Sequence, residues 1–142
     1  MAVRRATFSD MPALLGMARK EHAVSRLSGH PFDEARVNES FHNFIDGMTT
    51  AVFISPGGFI LGGVQPLLFN RRWNAYEMAW FAEDGSGMDL LKALAKWSKD
   101  MRAVDLIVHN YAGVVPAEKF TKVLGRYGFS PVGSAYTKQL EA

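Results

Sequence analysis

The sequence predicts an α/β (α+β) domain, with a mixed, mostly antiparallel central sheet flanked by helices in the order β-α-α-β-β-β-α-β-α-β-β. Three observations carry that expectation. Four segments place apolar residues at helical spacing. Between the second and third of them, short apolar or alternating runs are punctuated by Pro56-Gly57-Gly58, the mark of antiparallel hairpin strands. A strand then passes through the glycine loop Asp84-Gly85-Ser86-Gly87 directly into a helix, which requires a crossover inside the sheet.

Taken in order, Val3 to Thr7 reads as the first strand, and Ser9 or Asp10 is placed to cap a helix with Pro12 in its first turn. Met11, Leu14, Leu15 and Ala18 give that helix its apolar side. From Asp33, the residues Val37, Phe41, Phe44, Ile45 and Met48 form the stripe of a second amphipathic helix. Ala51 to Ser55 and Phe59 to Leu68 flank the hairpin turn, and Tyr76 to Ala82 follows as the central strand. Leu90, Leu91, Leu94 and Trp97 mark the third helix. Val104 to Val108 reads as a strand, and Pro116 opens a helix carrying Phe120, Val123, Leu124 and Tyr127, which Gly128 closes. Ser130 to Val132 and Ala135 to Leu140 read as the last two strands.

At 142 residues the chain is the size of one domain with one core, and we read residues 1–142 as a single unit. Apolar residues are 48% and charged residues 21%, an ordinary globular balance. Absence of cysteine excludes a disulfide framework, a thiolate zinc site and a cysteine nucleophile, and suits a reducing cytoplasm. No apolar run reaches signal-peptide or transmembrane length, so neither export nor a membrane partner is expected. The net charge of +2 is spread along the chain and indicates no nucleic-acid partner. His22, His30, His42 and His109 are scattered and suggest no metal site.

The glycine loop is the strongest chemical signal. A strand that turns into a helix N-terminus presents unpaired N–H groups reinforced by the helix dipole, which is an anion-binding arrangement. Gly85 and Gly87 permit close approach of a pyrophosphate, and Ser86 and Met88 can each offer an N–H. The alternative is a tight turn whose glycines only supply unusual φ angles.

Val3-Arg4-Arg5-Ala6-Thr7 with Asp10 and Leu14, the central Trp80-Phe81-Ala82, and Leu124 to Phe129 with the closing Tyr127-Gly128-Phe129 together resemble the GNAT superfamily of acyl-CoA-dependent N-acyltransferases. The tail Tyr136-Thr137-Lys138 is similar to short bacterial and phage-type members. This resemblance implies acetyl-CoA as cosubstrate, with the backbone of Phe81, Ala82 and Glu83 along the pantetheine arm and Gly85, Ser86, Gly87 and Met88 around the pyrophosphate. It also implies that Asn110 touches the cofactor arm. The family's phosphate loop, Gln/Arg-x-x-Gly-x-Gly/Ala, has Ala82 at its Gln/Arg position here. Glu83, Asp84 and Asp89 flank the same loop, each repelling an anion by roughly 1 kcal/mol at close range in water.

Amine attack on a thioester needs a proton acceptor for the amine and a proton for the departing thiolate. The resemblance points to Glu77, on the central strand, as the general base acting directly or through water; a solvent-facing strand residue is the other reading. Family members commonly place an acid tyrosine where Leu124 stands, and Leu124 lies on the apolar stripe. Glu21 and His22 near the end of the first helix, and Trp73 with Arg71 and Arg72 in the loop before the central strand, are candidates for the acceptor pocket. The function expected is acetyl transfer from acetyl-CoA to a primary amine, either a small molecule or a protein group, without metal and in a chain that can form a homodimer. A non-catalytic binding or assembly module with a degenerate cofactor loop is the alternative.

Overall fold

The computed structural model describes residues 2–110 and 113–141. The strand β1 (Arg4–Arg5) precedes a 3-10 turn at Phe8–Asp10 and the helices α1 (Met11–Val24) and α2 (Glu34–Asp46). Strands β2 (Thr50–Ser55), β3 (Gly58–Pro66) and β4 (Trp73–Ala82) follow, then α3 (Gly87–Asp100), β5 (Ala103–Ile107) and α4 (Ala117–Gly125). The sheet order is β1-β2-β3-β4-β5; neighbours run antiparallel except the parallel pair β4 and β5. The mixed, mostly antiparallel architecture is the one expected.

Side chains alternate across the sheet and divide the core in two. Phe59 and Leu61 meet Leu14, Met17 and Phe41 of α1 and α2, while Ile60 meets Leu90, Leu91, Leu94 and Leu124 of α3 and α4. Complete burial of a Leu, Ile or Phe side chain contributes about 1.5–3 kcal/mol, so these two layers hold the helices to the sheet.

Local chemistry sets the element ends. Asp33 caps α2, its carboxylate accepting the Arg36 N–H at 3.0 Å, and Gly47 ends the helix before Met48, which is 93% exposed and off the predicted stripe. Asp10 does not cap α1 with its side chain. It receives Arg4 through two bonds at 2.8 and 2.7 Å and the Thr7 N–H at 2.8 Å, tying β1 to the helix start. Strand β3 stops at Pro66, which has no N–H to give the ladder, and the Leu67 N–H closes the following loop on the Arg72 oxygen at 2.9 Å. At the end of α4, Gly128 adopts φ +86°, and the Gly128 and Phe129 N–H groups bond back to the Gly125 and Leu124 oxygens at 3.3 and 3.2 Å.

The two C-terminal strands expected at Ser130–Val132 and Ala135–Leu140 are not formed. Val132, Tyr136 and Leu140 are exposed, and no described strand lies on the outer edge of β5 to receive that segment. Alternation makes a strand feasible, but pairing makes it stable. A cavity of about 530 Å3 lies between β5, α4 and residues 128–133.

Candidate active site

The site begins where two strands part. β4 pairs with β5 only from Trp73 to Tyr76, then runs on to Ala82 paired with β3 alone. At about 3.3 Å per residue this leaves roughly 20 Å of strand edge open on that side. Opposite Leu61 and Gly62 of β3, the register jumps from Ala79 to Glu77, so Met78 has no partner there and forms a β-bulge. A bulge beside a strand split re-aims main-chain groups toward the gap.

Glu77 bridges that gap. Its side chain is 2% exposed, and its Oε1 accepts the His109 N–H at 3.0 Å and also contacts His109 Nδ1. The carboxylate therefore takes the place of a main-chain acceptor just beyond the last β4–β5 pair, and the solvent-facing reading of Glu77 is overturned. So enclosed, Glu77 has no free surface for direct contact with an acceptor. His109, which no periodic pattern singles out, is its partner at the apex of the split.

Glu21, on α1, faces the same region. Burial pushes its carboxyl up to about 7, the nearby Glu77 carboxylate adds to the rise, and His109 opposes it. It lines a cleft of about 230 Å3 bounded by α1, α2, β3 and β4, whose walls include Phe41, Phe59, Leu61 and the bulge residue Met78.

At the far end of the open edge lies the glycine loop. Asp84 folds over it, its carboxylate accepting the Gly57 N–H at 2.8 Å, the Ser86 N–H at 3.1 Å and the Ser86 hydroxyl. Ser86 is fully buried, and its Oγ lies 2.7 Å from that of Ser55. The Ser86 hydroxyl, more than any other partner, holds the Asp84 carboxyl below the usual carboxylate range. Gly85 has φ +81°, whereas Gly87 has an ordinary φ and begins α3, its oxygen accepting the Trp80 Nε1–H at 3.0 Å. With the Ser86 N–H engaged by Asp84, the donors left at the α3 N-terminus are those of Gly87, Met88 and Asp89. Of the three flanking carboxylates, Glu83 is paired with the Lys20 ammonium at 2.7 Å, while Asp84 keeps its charge and spends its oxygens on the Gly57 and Ser86 donors.

The remaining expected residues are spread more widely. The Glu83 N–H bonds to the Gly57 oxygen at 2.9 Å, and alternation turns the main chain of Phe81 toward β3 as well. Ala82 and Trp80 are the ones that face the open edge. Asn110 spans the turn after β5 by donating its side-chain N–H to the Val115 oxygen at 2.7 Å. His22 is engaged with the His30 oxygen at 2.9 Å and packs on Phe32, holding the segment between α1 and α2 and not the cleft. Trp73 is not in a loop: it begins β4, at the end opposite the glycine loop, because Asn74 and Ala75 are buried between β3 and β5. Leu124 is core, as expected, and Tyr127 is exposed beneath the Lys92 ammonium, 5.2 Å from its ring centre. Among the described residues no three His, Cys, Asp or Glu side chains could share a metal ion, and no helix is long and apolar enough to cross a membrane.

Comparison with solved structures gives the fold. The chain matches a Trypanosoma brucei acetyltransferase over 98% of its own length and 99% of that chain, with a TM-score of 0.70 at 16% identity. It matches a predicted acetyltransferase of Clostridium acetobutylicum, solved with acetyl-CoA, over 98% and 96% at TM-score 0.71 and 14% identity. An aminoglycoside acetyltransferase from a soil metagenome, in complex with sisomicin, matches over 97% and 95% at TM-score 0.68 and 14% identity. No family model matches the sequence, and neither does any curated protein sequence. The chain has the fold of the GNAT acetyltransferases across its whole length.

Proposed function

We propose that this protein transfers an acetyl group from acetyl-CoA to a primary amine by direct attack, with no covalent enzyme intermediate. The observation that supports this most is the open edge of β4, which runs from the Glu77–His109 bridge to the free N–H groups of α3. One wall of that notch offers the extended main chain around Ala82 to an amide-bearing arm. Its end offers Gly87, Met88 and Asp89 N–H groups and the helix dipole to a pyrophosphate. At its apex, the bulge at Met78 presents main chain that pairs with neither neighbouring strand, suited to a thioester oxygen. Residues Gly85 and Ser86 shape the loop, and Asn110 fixes the opposite wall. Bound acetyl-CoA would supply the activated acyl group. A protein that shares this fold was solved with acetyl-CoA, and another with an aminoglycoside, which supports a CoA donor and a small-molecule amine acceptor.

A second reading, a non-catalytic binding module, draws on two features: Leu124 is buried core where the family places an acid tyrosine, and Asp84 occupies one loop donor. Thermal melts with CoA test the cofactor assignment, since a ligand at 100 times its Kd adds about 2.7 kcal/mol, or roughly 5–10 °C for a domain of this size. If millimolar CoA moves the melting temperature no further than inorganic pyrophosphate does, the coenzyme assignment fails. Stabilisation by CoA with no turnover of any amine would leave the binding module.

A further inference from the structure

Glu21 is a half-buried carboxyl with no hydrogen bond or ion pair among the described residues, and it opens into a cleft whose walls are largely apolar. Val37 and Phe41 of α2, Phe59 and Leu61 of β3 and Ala79 of β4 form those walls. The cleft meets the open edge of β4 at Met78, the bulge residue. A bare carboxylate in apolar surroundings is costly unless a cation pairs with it. We propose that this cleft is the acceptor site, taking a primary amine that carries one compact apolar group, with Glu21 receiving the ammonium and accepting its proton.

The inference rests on the transferase reading and names the substrate class for it. Lining separates the candidates: among the described residues only Arg36 and Ser40 bring polar side chains to the cleft besides Glu21, so a polyhydroxylated aminoglycoside does not match its walls. An arylalkyl or alkyl amine does. Charge agrees. Glu21 faces Glu77 from β4 and His109 from the segment after β5, while Arg36, which lines the cleft from α2, has its charge paired with Glu39 at 3.3 Å. On α1 itself, Lys20 pairs with Glu83 and His22 with the His30 oxygen. The carboxyl of Glu21 is raised to about 7, which suits a group that gains and loses a proton near neutrality.

Glu21 removes one proton from the ammonium, and the freed nitrogen lone pair forms the C–N bond to the thioester carbonyl. The C–S bond breaks, the second nitrogen proton passes to the thiolate, and Glu21 returns its proton to water. Glu77 holds His109 and is a positioning residue in this scheme.

The test assays the full chain with acetyl-CoA against 2-phenylethylamine, spermidine and kanamycin from acid to alkaline pH. The expected result is highest kcat/KM with 2-phenylethylamine and a rate that rises through a limb near pH 7. Glu21→Gln should lower kcat at neutral pH by roughly 10²–10⁴-fold and remove that limb, while the melting shift with CoA is retained. Ser40→Phe, which fills the cleft from α2, should raise KM for 2-phenylethylamine more than it lowers kcat. Preference for spermidine or kanamycin, or unchanged kinetics and limb in Glu21→Gln, overturns the proposal. If CoA does not bind, the transferase reading fails separately, and calorimetry decides the cleft: 2-phenylethylamine should bind wild type, and Glu21→Gln should bind it more weakly. No binding in that experiment also overturns it.

Discussion

Gly62 lies so close beneath Tyr76 that a Cβ at position 62 would fall inside the van der Waals surface of the Tyr76 carbonyl oxygen. The obstacle is backbone, so it cannot rotate away, and it sits one residue before Glu77 on the bulged strand. Gly62→Ala is expected to cost about 1–3 kcal/mol, the usual penalty of overpacking, and to disturb the Glu77–His109 bridge. Urea denaturation measures the first effect and CoA titration the second. An unchanged midpoint would mean that β3 and β4 can slide apart at the bulge without loss.

The two loop glycines should behave differently. Gly85→Ala forces a side chain into left-handed backbone and should lose roughly 1–2 kcal/mol. A Cβ on Gly87 would meet Ala82 Cβ and the Trp80 ring at ordinary contact distances of 3.7 Å, so Gly87→Ala should melt with wild type. The bulkier Gly87→Val should stay folded yet bind CoA at least tenfold more weakly. Normal CoA affinity in Gly87→Val would return the loop to a plain turn.

Acid sensitivity follows from two aspartates. Asp10 is held down to about 2, first by the Arg4 guanidinium and then by the Thr7 N–H, and Asp84 is also lowered, chiefly by the Ser86 hydroxyl. Both are depressed on folding, so their stabilisation is complete above the ordinary carboxylate range and is lost as pH falls through their folded values. Asp10→Asn should therefore flatten the melting curve between about pH 4 and 2 while lowering stability at neutral pH. An Asp10→Asn protein with the wild-type acid slope would show that Arg4 does not hold Asp10 in solution.

Glu21 slopes the other way. Its carboxyl is raised on folding to about 7, so the folded state holds the proton more tightly, and stability falls as pH rises from the ordinary glutamate range through neutrality. Glu21→Gln should match wild type near pH 4 and melt higher than wild type at pH 8. Equal melting temperatures at pH 8 would mean that the Glu21 carboxyl is solvated.

Much of the scaffold was legible because it rests on periodicity and local capping. The stripe Val37, Phe41, Phe44 and Ile45 with Asp33 before it, the turn at Pro56-Gly57, and Leu90, Leu91 and Leu94 on α3 all stand where their spacing places them. The site was less legible because its key contacts are long-range. Glu77 and His109 lie 32 residues apart, and what unites them is a bulge and a strand split that leave no periodic trace. Asp84 was read as a repulsive charge, although an Asp two residues before a buried Ser is a local turn signal that points inward. Trp73 looked like loop because Arg71 and Arg72 precede it, yet burial of Asn74 and Ala75 extends the strand to it. The terminal strands failed for the opposite reason: Ala135 to Leu140 has the pattern but no described partner.

The Asp84 clasp also bears on rates. Because one carboxylate already fixes Gly57 and Ser86, the loop at the head of α3 is held in shape by the chain's own anion. An arriving phosphate meets donors already aligned, so little conformational entropy is lost at the moment of capture. Association should then be governed by encounter and ionic strength and not by a slow loop closure, with affinity differences among CoA analogues written mainly in how quickly each one leaves.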